Sequence, residues 1–283
     1  MDDYELLDFG GGRRLERFGS CVVDRPCPAA DPFRPTSPRR WRRAVARFER
    51  TSGDSGRWTL AGELPEPWII DMGRFRTALK LSPFGHLGIF AEQVANWAWI
   101  AEQIARIERP LKLLNLFAYT GASTLAAAAA GAAEVVHVDA ARNTIAWARR
   151  NAELSGLSDA PIRWVVEDVR KFVRRELKRS DGYDAVILDP PSYGHGRRGE
   201  VWRLSKHLDP LLAACVELTA GRRGFVLLTA HTPEFDAERL RRMLGEALGH
   251  EADLGRIDAS AMALHTADGR ALPSGQVVRW SQM

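Results

Sequence analysis

The chain has 283 residues, 45% hydrophobic and 27% charged, with a net charge of +4, as an ordinary folded protein has. This composition excludes wholesale disorder, collagen-like repeats and a coiled coil, and no run approaches the roughly 18 apolar residues of a spanning helix. The opening Met1-Asp2-Asp3-Tyr4-Glu5 lacks the basic-then-apolar order of a secretion signal. Cys21, Cys27 and Cys215 make neither an even disulfide framework nor a metal-ligand spacing. A reduced, cytoplasmic protein without a metal is the expectation.

The first 80 residues read as short strands and turns. Tyr4 to Phe9 and Arg13 to Phe18 flank Gly10-Gly11-Gly12, and glycines supply the positive φ of a hairpin turn. Prolines at 26, 28, 32, 35 and 38 predict an irregular linker over residues 24–38. From Pro38 to Arg50 the spacing of Trp41, Ala44, Val45 and Phe48 predicts a helix. Its other face is basic, with Arg39, Arg40, Arg42, Arg43, Arg47 and Arg50 opposed by Glu49, and Arg34 just before. Guanidinium groups pair with phosphate and aromatic rings stack on bases, so this segment is a candidate RNA contact; a solvated basic face is the plainer alternative. Further strands are expected at Trp58–Leu60 and Trp68–Asp71.

Beyond residue 90, helices alternate with apolar runs. Helices are expected at Glu92–Glu108, Ala122–Ala130, Ala141–Leu154, Val169–Lys178, around Trp202–Thr219 and at Pro233–Leu248. Strands are expected at Leu111–Phe117, Glu134–Asp139, Ile162–Asp168, Tyr183–Asp189 and Gly224–Thr229, with two more near the end. Such alternation implies an α/β, Rossmann-like, doubly wound and mostly parallel sheet. Ligands of such sheets bind at the carboxyl ends of the strands.

Four of those ends are polar. The first strand leads into Asn115-Leu116-Phe117-Ala118-Tyr119-Thr120-Gly121, whose lone glycine cannot make the Gly-rich cradle a pyrophosphate needs. The second ends at Asp139, at a distance suited to accepting from ribose hydroxyls. The third ends at Glu167-Asp168, where a carboxylate can accept from an adenine amino group, although Asp also caps helices. Together they indicate an adenosine-type ligand without phosphates, which S-adenosylmethionine is. The fourth ends at Asp189-Pro190-Pro191-Ser192-Tyr193. Two prolines without N–H leave the Asp189 and Pro190 carbonyls as fixed acceptors, suited to a planar amine stacked on Tyr193. The stretch Gly194–Gly199 reads as a basic, substrate-gating loop.

The Asn115–Gly121 and Asp189–Tyr193 motifs, with Lys80–Gln93 before the first core strand, resemble the bacterial class I S-adenosylmethionine-dependent methyltransferases related to the 23S ribosomal RNA large-subunit enzymes. The resemblance covers roughly residues 80–283. It implies that Phe90, Gln93, Asn115, Phe117, Tyr119, Thr120, Gly121, Asp139, Ala140, Asp168, Val169 and Asp189 surround S-adenosylmethionine, and that Asp189, Pro190, Pro191 and Tyr193 serve catalysis. Cytosine-C5 members use a cysteine after the fifth strand, where this chain reads Leu228-Thr229-Ala230-His231-Thr232. Methylating a ring carbon needs a thiolate, so a base nitrogen of ribosomal RNA is the expected acceptor. A protein or small-molecule acceptor, and a catalytically silent RNA-binding module, are the alternatives. The expected organisation is a β-rich extension over residues 1–80 and a methyltransferase domain over 81–283.

Overall fold

The computed structural model describes residues 3–53, 55–179, 182–195 and 201–282. The chain divides into two compact units. Met1–Gln93 with Ala263–Ser274 form the first, and Val94–Met262 with Gly275–Met283 the second, whereas the sequence suggests a division near residue 80.

In the first unit, strands β1 (Tyr4–Gly10), β2 (Arg13–Phe18), β3 (Cys21–Pro26), β4 (Ala46–Ser52) and β5 (Ser55–Leu60) form one sheet in chain order. The expected hairpin is present, with Gly10, Gly11 and Gly12 all at positive φ. Gly10 also meets the 34–35 backbone so closely that a Cβ would lie 2.4 Å from Arg34 C. The expected helix over residues 38–50 is not present. Only Pro38–Trp41 is helical (α1), and from Ala46 the chain is strand. The reason is period: Ala46 and Phe48 are buried while Arg47 and Glu49 are exposed, the alternation of a pleated strand. Parallel pairing to β3 (Val23↔Ala46) and antiparallel pairing to β5 (Phe48↔Trp58) satisfy that backbone. A small hairpin, β6 (Ile69–Asp71) and β7 (Arg76–Ala78), completes the unit.

Asp8 is the polar centre of this unit. It is fully buried and accepts from Phe9 N, Thr36 N and Oγ1, Ser37 N, Trp41 Nε1 and Arg270. One carboxylate thereby ties β1 to the crossing segment 34–41 and to Arg270. Burial pushes its pKa up, but the hydrogen bonds from Trp41, Ser37, Arg270 and Thr36 outweigh that and leave it lowered.

The second unit is a seven-stranded sheet in the order β10-β9-β8-β11-β14-β16-β15. The strands are β8 (Lys112–Leu116), β9 (Glu134–Asp139), β10 (Ile162–Val166), β11 (Ala185–Leu188), β14 (Phe225–Ala230), β15 (Gly255–His265) and β16 (Ala271–Gln282), with β12 (Tyr193–His195) and β13 (Val201–Arg203) forming a separate small ladder. Helices α2 (Val94–Arg106), α3 (Ala122–Ala129), α4 (Arg142–Leu154), α5 (Val169–Arg179), α6 (Leu204–Leu218) and α7 (Ala237–Leu248) complete it. Strands β8 to β11 and β14 pair in parallel, and β16 lies antiparallel to β14. The Rossmann-like, mostly parallel architecture expected from the sequence is therefore present. The chain runs outward from β8 through β9 to β10, then resumes on the other side at β11, so strand order reverses between β8 and β11. That reversal opens the crevice where ligands of such sheets bind. Gly121 (φ +91) ends the β8 loop so close to α4 that a Cβ would meet Ala148 Cβ at 3.0 Å. Among the described residues no helix is long and apolar enough to cross a membrane.

Candidate active site

The carboxyl ends of β8, β9, β10, β11 and β14 meet along one edge of the second unit. After β8 the backbone turns through Phe117 (φ 56) and Tyr119 (φ 49), two non-glycine residues in the left-handed region. Such conformations persist only where surroundings enforce them. Ala118 N donates to Val138 O at 3.1 Å, and Tyr119 N to Asp139 Oδ2 at 2.9 Å. Below, Asn115 Nδ2 donates to Thr124 Oγ1, which lies 2.9 Å from His137 Nδ1. Burial pushes His137 down to about 3, so its ring is neutral. Asn151 Nδ2 donates to Thr120 O at 3.0 Å and pins the loop to α4.

Asp139 is partly buried and bridges two loops. Its carboxylate accepts from Tyr119 N, from Ala141 N at 2.8 Å and from Thr144 Oγ1 at 3.2 Å. Desolvation dominates, and these hydrogen bonds do not reverse it, so its pKa is raised. All three donors are neutral. Asp168 accepts from Lys171 N at 3.1 Å in the first turn of α5 and lies 3.4 Å from Arg170, partly a helix-capping role.

At the end of β11, Asp189 Oδ1 accepts from Thr229 Oγ1 at 2.5 Å, and His231 Nε2 lies 3.2 Å away. Pro190 is buried and Pro191 exposed. The Pro191 carbonyl accepts from Trp202 Nε1 at 2.6 Å, which ties the second proline to a structural partner. Trp202 also packs on Phe117 with ring centroids 4.8 Å apart, linking the β8 and β11 loops. Tyr193 is 51% exposed, and Arg203 lies 6.0 Å from its ring centre.

The edge thus gathers Phe117, Tyr119, Asp139, Ala140, Asp168, Asp189 and Tyr193 as partly or well exposed residues. Asn115, Thr120, Gly121 and Val169 are buried beneath it, shaping the edge from behind. Phe90 and Gln93 belong to the first unit. Of the expected gating loop, residues 196–199 lie outside the described residues. Sequence reasoning missed Trp202, Thr144, Thr229 as a partner of Asp189, and the Thr124–His137 pair. Strand pairing brings Thr229 to Asp189, and helix packing brings Thr124 to His137; the polar run Thr229-Ala230-His231-Thr232 at a strand end is a usable signal.

Three carboxylates at successive strand ends and a single-glycine loop after β8 mark a doubly wound protein whose edge suits a phosphate-free nucleoside. The profile of the S-adenosylmethionine-dependent methyltransferase family matches residues 35–237, and the chain belongs to that family. A methyltransferase of known structure from Agrobacterium tumefaciens is 36% identical and covers 99% of this chain and 91% of its own, with a TM-score of 0.92. Proteins named ribosomal RNA large subunit methyltransferase I are 33% identical over 140 residues in Aeromonas hydrophila and 34% identical over 139 in Shewanella denitrificans. The match covers 49% of this chain but 34% of each relative: the chain spans about a third of their length. The residues fit S-adenosylmethionine, the family's methyl donor. Asp139 carries a carboxylate without a cationic partner among the described residues, which suits ribose hydroxyls and a cationic ligand.

Proposed function

We propose that this protein transfers the methyl group of S-adenosylmethionine to a base nitrogen of RNA, with ribosomal RNA as substrate and the cytoplasm as its place of work. Asp139 would accept the ribose hydroxyls and Asp168 the adenine amino group, with the Asn115–Gly121 loop of the same unit beside them. Bound there, S-adenosylmethionine would supply an electrophilic methyl group on a sulfonium. The chain's own task is then alignment, because the donor is already activated. Asp189 and the Pro190 carbonyl would accept the amine hydrogens and aim its lone pair, while Tyr193 stacks on a base extruded from the RNA. The proton released after transfer would leave by way of the Asp189 carboxylate, which is partly exposed to solvent.

The observation that carries this proposal is the Asp189-Pro190 acceptor pair beside the strand-order reversal, with Pro191 already bonded to Trp202. The ribosomal substrate is supported by the named relatives. An RNA contact is supported by exposed Arg34, Arg39, Arg42, Arg43 and Arg50, whose guanidinium groups have no partner among the described residues. A thiolate route has little support, since Cys215 is buried and burial alone pushes its thiol well up.

The test is transfer of labelled methyl to ribosomal RNA, whole-cell protein and small-molecule extract in parallel, with wild type and Cys215→Ala. Label is expected in RNA with both. Label in protein alone rejects the RNA substrate. Loss of transfer in a folded, cofactor-binding Cys215→Ala protein rejects the nitrogen acceptor.

A further inference from the structure

The Asp189 carboxylate does not stand alone at the end of β11. Strands β11 and β14 pair in parallel with Leu188 opposite Leu228, so the residues that follow them emerge side by side. Thr229 Oγ1 and His231 Nε2 both converge on one oxygen, Asp189 Oδ1, at 2.5 and 3.2 Å. A third element makes room for this. Gly275 (φ +120), on β16, faces the same histidine, and a Cβ there would lie 2.7 Å from His231 Nδ1 and 2.8 Å from Ala230 O. The ring is thus backed by glycine on its Nδ1 side and meets the carboxylate on its Nε2 side.

We infer that His231 and Thr229 are positioning residues for Asp189: they hold one carboxylate oxygen so that the group meets the acceptor amine at a fixed angle, and Gly275 is the space that lets His231 do so. The inference rests on the amine-methylation reading above. In this arrangement the imidazole donates through Nε2–H to the carboxylate, and Thr229 donates through its hydroxyl. A carboxylate held by two donors from a neighbouring strand loses rotational freedom before the acceptor arrives. The ordering cost is then met during folding rather than during reaction. His231 acts through Asp189, so its removal is felt in turnover more than in binding.

Two independent measurements test this. In the first, His231→Ala should lower kcat about tenfold, roughly 1.4 kcal/mol of barrier, with acceptor KM and cofactor Kd within about twofold. His231→Gln, which keeps a donor at similar reach, should regain most of the loss. Gly275→Ala, which displaces the ring without changing its chemistry, should resemble His231→Ala. In the second, which needs no substrate, nitrogen-15 NMR should show a proton on His231 Nε2 in wild type and a shift of that signal in Asp189→Asn. Equal kcat for wild type and His231→Ala, or ring signals unchanged by Asp189→Asn, overturns the inference. A wild type that methylates no RNA instead overturns the substrate proposal, and the NMR measurement still decides the pairing.

Discussion

Asp8 and Asp139 are both carboxylates that accept backbone N–H bonds, yet their environments oppose one another. Asp8, in the first unit, is fully buried and meets a guanidinium, an indole, a hydroxyl and backbone amides. Its charge is matched, and its pKa is lowered. Asp139, in the second unit, meets two backbone amides and one hydroxyl. Among the described residues its charge is left without a cation, and burial raises its pKa. A saturated carboxylate locks a fold, whereas an under-compensated one at a strand end is held ready for a ligand. The two acids thus differ in whether their charge is matched by a cation among the described residues.

The sharpest way to break this comparison is Asp8→Ala. It strands the Arg270 guanidinium and the Trp41 indole, and losing one partner of a buried charge pair costs about 3–5 kcal/mol. Urea melts should show that loss in the first unit, with cofactor affinity of the folded protein unchanged. A loss below about 1 kcal/mol would mean that Asp8 is not the lock.

Next in size is Asp139→Ala, expected to weaken cofactor binding by about 1.5–3 kcal/mol, roughly ten- to a hundredfold. Calorimetry showing unchanged affinity in the folded variant would remove Asp139 from the ribose site.

The two acids should also give stability opposite slopes with pH. Asp8, with its folded pKa lowered, contributes stability that is present above the unfolded value of about 3.9 and lost as pH falls through its folded pKa. Asp139, with its folded pKa raised, costs stability while ionised. That cost disappears as pH falls from its folded pKa toward about 3.9. Melts of cofactor-free protein across this acid range should therefore show Asp139→Asn stabilising at neutral pH and losing that advantage in acid. Parallel pH profiles for wild type and Asp139→Asn would contradict the assignment.

The smallest expected effect concerns the arginines. Each neutralised RNA phosphate contributes about 0.7–0.9 to the slope of log K against log salt. Arg39, Arg40, Arg42 and Arg43 changed together to Gln should flatten that slope and leave Asp139-dependent cofactor binding alone. An unchanged slope makes this surface a solvated face only.

Much of the second unit was legible residue by residue, because a buried parallel strand must be apolar along its length and its end must turn polar. Leu111–Phe117, Glu134–Asp139 and Tyr183–Asp189 were readable for that reason, as were the acids that close them. The first unit was less so. Trp41, Ala44, Val45 and Phe48 satisfy a helical period as written, but Ala46 and Phe48 also satisfy the period of a strand, and only the open edge of β3 decides between them. Asp8 looks like any acid in a short strand. Its role exists because Trp41 and Arg270, 33 and 262 residues away, converge on it. In the same way the amino-acid order determined that Asp189 ends a strand before two prolines. That Thr229, His231 and Gly275 surround that end was decided by tertiary structure alone, since strand adjacency is set by non-local pairing that no local period records.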